Sequence, residues 1–98
     1  MKILAIEKEI EGTTWAHTEK LLEQEAFHVF RLYLSNYLRE IYFTEDKNAV
    51  LILETEDRKT AEKLLNDLPL VKSGKIRFEI SELRPYTGYE RIIKLDRF

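Results

Sequence analysis

The sequence predicts a small α+β domain whose elements run strand, helix, strand, strand, helix, strand. Three observations carry this. Two uninterrupted apolar runs, from Ile3 to Ile6 and from Ala49 to Leu53, are too short for helices and read as buried strands. Two stretches repeat apolar residues at spacings of three and four, the mark of amphipathic helices. Two others alternate apolar with polar residues, the period of a strand with one covered face. That order builds a ferredoxin-like βαββαβ sandwich, a four-stranded antiparallel sheet with both helices on one face.

In chain order, Ile3 to Ile6 forms the first strand. Gly12, Thr13 and Thr14 suit a helix cap, and Leu22, Ala26, Val29, Phe30 and Tyr33 then mark a helix over roughly 15–34. Ser35-Asn36 interrupts it, and 37–43 alternates Leu38, Glu40 and Tyr42 against Arg39, Ile41 and Phe43. Glu45-Asp46-Lys47-Asn48 is a hairpin turn by composition, so the strand that follows it pairs antiparallel. Thr55, with Glu56 and Asp57, offers a cap and negative charge to a second helix carrying Ala61, Leu64, Leu65 and Leu68, which stops before Pro69. After Gly74, residues 75–83 alternate Ile76, Phe78 and Ile80 with Arg77, Glu79 and Ser81, and Pro85 ends the strand.

The whole chain, 98 residues, fits a single domain. Sixteen basic and eighteen acidic residues leave a net charge of -2, which speaks against nucleic-acid or membrane binding driven by overall charge. The chain has no Cys, so disulfides, thiol nucleophiles and cysteine-held zinc are excluded. The apolar run at the N-terminus is too short for a signal peptide, and no stretch approaches the roughly 20 apolar residues of a membrane span, which predicts a cytoplasmic protein. The three glycines stand far apart and form no phosphate-cradling loop, so no nucleotide cofactor is expected.

Helices on one side of the sheet leave its other face bare, yet the first and third strands are apolar on both faces. A second copy is the expected cover, packing sheet against sheet in a homodimeric α/β barrel, with residues 86–98 as a C-terminal tail contacting the partner subunit.

The segment Leu64-Leu65-Asn66-Asp67-Leu68-Pro69-Leu70-Val71, followed by Ile76-Arg77-Phe78-Glu79-Ile80, resembles the second half of muconolactone isomerase and its relatives. Those proteins also end the second helix in Leu-Pro-Leu and pass straight into an alternating last strand. The resemblance covers roughly 49–88 and extends to the wider superfamily with the YciI-like proteins. It implies a dimeric α/β barrel and a cofactor-free isomerase or related enzyme acting on a small organic acid or lactone by proton transfer. Where the isomerase has a basic residue followed by His, this chain has Arg39-Glu40.

Glu40 is the first candidate acid or base, since a carboxyl partly buried in a barrel has the raised pKa that proton transfer uses. An ion pair with Arg39 or Arg77 is its structural alternative. Tyr42, two residues on, shares its face and is suited to donating to a ligand oxygen or to packing. His28 and Arg31, three apart on the first helix, are placed to take one anion or to act as a proton-transfer pair, with His28 the catalytic candidate, or else to sit on a solvated flank. Arg39 and Trp15 complete the candidate binding residues, with Trp15 equally suited to anchoring a core or an interface. Arg84-Pro85-Tyr86-Thr87-Gly88-Tyr89-Glu90-Arg91 reads as a pocket closure or as an arm on the partner. His17 and His28 stand about 16 Å apart on one helix and cannot share a metal, so no metal site is expected. The alternatives to an enzyme are a small-ligand-binding protein without catalysis and a protein-interaction module.

Overall fold

The computed structural model describes residues 1–93. The strands are β1 (Lys2–Glu9), β2 (Leu38–Phe43), β3 (Ala49–Glu54) and β4 (Ile76–Leu83); the helices are α1 (Glu19–Leu34), α2 (Arg58–Asn66), α3 (Pro69–Lys72) and α4 (Glu90–Ile93). The sheet order is β2-β3-β1-β4 with every neighbouring pair antiparallel, which is the ferredoxin-like arrangement. Of the tail, residues 94–98 lie outside the described residues.

The element boundaries differ from the sequence reading where side chains override composition. β1 continues past Ile6 to Glu9, because β4 pairs with it along its whole length, Lys2 with Leu83 through Glu9 with Ile76. Helix α1 starts at Glu19 rather than near Trp15. Its cap position is Thr18, whose hydroxyl donates to the Trp15 carbonyl at 2.8 Å, while Thr13 bonds the Lys75 carbonyl instead of capping. His17, with φ of 58°, therefore lies in the turn before the helix.

The cap of α2 is Asp57, which accepts the Thr60 amide at 2.7 Å, and this bond holds the Asp57 carboxyl below its usual range. Thr55 is buried behind it, donating to the Asp57 carbonyl. α2 ends before Pro69 as expected, and Pro69 then opens the short α3, where a missing amide hydrogen costs nothing. Gly74 follows with φ of 78°, the left-handed turn that feeds β4.

Leu38 is opposite Leu53, but Glu40, not Arg39, is opposite Ile52, so Arg39 is the extra residue of a β-bulge. The bulge puts Leu38 on the same face as Ile41 and Phe43, correcting the simple alternation that grouped it with Glu40 and Tyr42. Beyond the strand, the hairpin turn closes between Thr44 and Asn48, with Lys47 at φ of 63°.

The core lies between the sheet and α2: Ile3, Ala5, Leu51, Leu53, Ala61 and Leu65 are each no more than 1% exposed. On the opposite face, Leu4, Ile6, Val50 and Ile52 form a half-buried apolar band across β1 and β3 that no element of the described residues covers. No helix among the described residues is long and apolar enough to cross a membrane.

Candidate functional site

Helix α1 has no buried residue, although it is sixteen residues long. It packs chiefly against α3 and β2 and stands off the middle of the sheet, leaving an apolar cavity of about 850 Å³. All five residues of its apolar stripe, Leu22, Ala26, Val29, Phe30 and Tyr33, line this cavity. Facing them across the cavity are Leu38, Ile41, Phe43, Ala49, Leu51 and Phe78 from the helix-side face of the sheet. This volume is within the range of about 300–1,000 Å³ typical of small-molecule sites.

Two carboxyl groups enter this apolar space. Glu7 follows Ile3 and Ala5 on the helix-side face of β1, in register with Phe78 and next to the buried Ala49. Glu25 sits on the stripe of α1 between Leu22 and Val29, and its Oε1 accepts the Leu70 amide at 2.9 Å. Burial pushes the Glu25 carboxyl above its ordinary range, partly offset by that amide. Burial likewise raises Glu7, against a backbone hydrogen bond at Ala49, with the charges of Glu25 and Glu9 adding to the shift. The charge of Glu25 thus makes the Glu7 carboxyl harder to ionise.

Trp15 forms part of the rim. Its indole Nε1 donates to Glu9, and Lys75 Nζ lies 5.6 Å from its ring centre while donating to the Thr14 carbonyl. Lys47, on the β2–β3 turn, is the only cation lining the cavity among the described residues.

Of the residues singled out in the sequence, the structure brings Trp15 to this cavity. Glu40 and Tyr42 are together on the other face of the sheet, where the Tyr42 hydroxyl donates to Glu40 at 2.8 Å and the carboxylate pushes the tyrosine pKa up. Arg39 projects from the bulge and bonds the Asn36 carbonyl. Arg31 lies over the Phe27 ring, 5.2 Å from its centre, and His28 is exposed on the same helix; neither lines the cavity. Tyr86 and Tyr89 pack edge to face with centres 5.0 Å apart, a fold of the chain that a side chain at Gly88 would block by striking the Tyr86 ring.

Sequence reasoning missed Glu7 and Glu25, though both carried a signal. Counting by two from Ile3 and Ala5 reaches Glu7, and counting three on from Leu22 reaches Glu25, so each carboxyl interrupts an apolar face.

An open antiparallel sheet with a cavity under one helix defines a ferredoxin-like α+β protein with a small-molecule-sized site. Among solved structures, the chain is similar to 5-chloro-2-hydroxyhydroquinone dehydrochlorinase from Burkholderia phenoliruptrix AC1100, determined in complex with 2,5-dihydroxybenzoquinone: TM-score 0.60, 17% identity, covering 88% of this chain and 96% of that one. This likeness shows the fold. No family model and no curated protein matches the sequence.

Proposed function

We propose that this protein is a cofactor-free enzyme of the muconolactone isomerase-like group that moves a proton within a small molecule held under α1, with Glu7 and Glu25 as its acid and base. The observation that carries the reading is the pair of desolvated carboxyls facing one apolar cavity. Two carboxyls on one cavity place a group that can take up a proton beside one that can return it, which is what shifting a hydrogen between two positions of a substrate requires. The Leu70 amide fixes one oxygen of Glu25 and leaves the other for the substrate. The solved dehydrochlorinase acts on a small ring compound on the same scaffold, which agrees with this reading.

The test needs no assumed product. Candidate lactones and enolisable ring compounds are incubated with the protein in deuterated water, and carbon-bound hydrogen exchange is followed by NMR. Exchange that disappears in Glu7→Gln and Glu25→Gln variants that still bind the compound supports the assignment. Exchange that survives in the double variant removes both residues from the chemistry.

The enzyme works, in this proposal, as a homodimer. The apolar band of Leu4, Ile6, Val50 and Ile52 supports a sheet-to-sheet contact, and Tyr86, Tyr89 and Ile93, each exposed by more than 60%, support an arm that reaches the partner. Glu40 and Tyr42 then face the partner sheet, inside the barrel. Sedimentation equilibrium at micromolar concentration should return twice the chain mass of 11.7 kDa, and a single-chain mass would overturn the dimer.

A further inference from the structure

The polar groups of the cavity are lopsided. Among the described residues its interior carboxyls are Glu7 and Glu25, and its one lining cation, Lys47, sits on an exposed turn and makes no ion pair with either of them. The remaining lining residues are apolar or aromatic, including Trp15, Phe30, Tyr33 and Phe43 around the opening. Among the described residues no arginine fork faces the space; Arg31 is turned onto Phe27 and Arg39 onto a backbone carbonyl.

We propose that the cavity takes a largely apolar, ring-sized molecule whose polar end donates hydrogen bonds, a hydroxyl or an ammonium, and that it rejects carboxylates. Carboxyl oxygens accept hydrogen bonds from such a donor, and aromatic faces favour an ammonium. A substrate carboxylate would enter an apolar space beside like charge, losing its water without gaining a bidentate partner. The rule narrows the organic acids and lactones suggested by the sequence to neutral molecules, and extends them to amines. It rests on the cavity being the binding site, but not on proton transfer occurring there.

The experiment uses three molecules of matched shape, naphthylethanol, naphthylethylamine and naphthylacetate, in thermal-shift titrations of the full-length chain near neutral pH. Ligands that bind only the folded state raise its melting temperature with concentration. The alcohol and the amine should do so, with naphthylacetate at least about tenfold weaker in dissociation constant. The Glu7→Gln/Glu25→Gln double variant should close most of that gap while remaining folded. Naphthylacetate binding as tightly as the alcohol would overturn the proposal, as would the absence of a shift from all three. If an acid binds and its carbon-bound hydrogen exchanges, the charge rule fails and the catalytic reading stands. If the alcohol binds and no compound exchanges hydrogen, the reverse holds.

Discussion

Helices α1 and α2 lie on the same face of one sheet and both carry apolar stripes, yet they do different work. α2 is nine residues long and seals Ala61 and Leu65 completely into the core. α1 is nearly twice as long and seals none; Phe30 and Tyr33 remain more than half exposed, turned toward a cavity. An apolar stripe at helical spacing therefore tells which way a helix faces, but not whether it meets protein or empty space. The difference lies in how the two faces meet: small and branched side chains fit beneath α2, whereas the Glu7 carboxyl stands opposite α1 and Glu25 interrupts the stripe of α1 itself, bonded to the Leu70 amide.

The sharpest way to break this contrast is to truncate one residue on each helix. Leu65→Ala should destabilise the fold by about 2–5 kcal/mol, since it opens a hole in a filled core. In a domain of this size each kcal/mol lowers the melting temperature by about 4–8 °C, so a calorimetric scan resolves it easily. Phe30→Ala, removing a half-exposed ring stacked on Tyr33, should cost about 1 kcal/mol or less while weakening ligand binding. Equal losses from the two variants would mean that α1 is a core helix after all.

A smaller effect, of opposite sign, should come from Glu25→Gln, whose amide oxygen still accepts the Leu70 amide. Because the folded protein raises the Glu25 pKa, it binds that proton more tightly than the unfolded chain does. The carboxyl's contribution is then most favourable below its unfolded pKa and is lost as pH rises through the higher folded value. The variant should melt higher than the parent near neutral pH, with the advantage shrinking on acidification toward the ordinary carboxylate range. A melting temperature lower at neutral pH, or an advantage that does not depend on pH, would mean that burial of this charge is not what the site spends stability on.

The order of elements, their antiparallel pairing and the facing of both helices were legible in the sequence because each rests on periodicity. The cavity was only half legible. Its α1 wall was recognised residue by residue as an apolar face, and Trp15 as a candidate wall, but ending the first strand at Ile6 cut off the register that carries Glu7. Glu25 is one of three glutamates on α1, and residue type alone does not mark it as the one that enters the cavity. The face of Glu40 and Tyr42 was read as shared, and their hydrogen bond agrees; that Leu38 does not share it follows from a bulge at Arg39, for which strict alternation makes no allowance. Cap choice between Thr55 and Asp57 was settled by the geometry of a single backbone turn, and both residue types suit a cap.

The bulge has a consequence in the language of insertion and deletion rather than substitution. Arg39 is the one residue of β2 without its own place in the ladder. Deleting it would make the pairing regular, Leu38 with Leu53 and then Glu40 with Ile52, and would leave every other side chain of the strand on its present face. Strands ordinarily punish a change of length by turning a whole row of residues inside out. Here the chain carries a spare position at the edge of its sheet, and the length of β2 can change there without rewriting either surface.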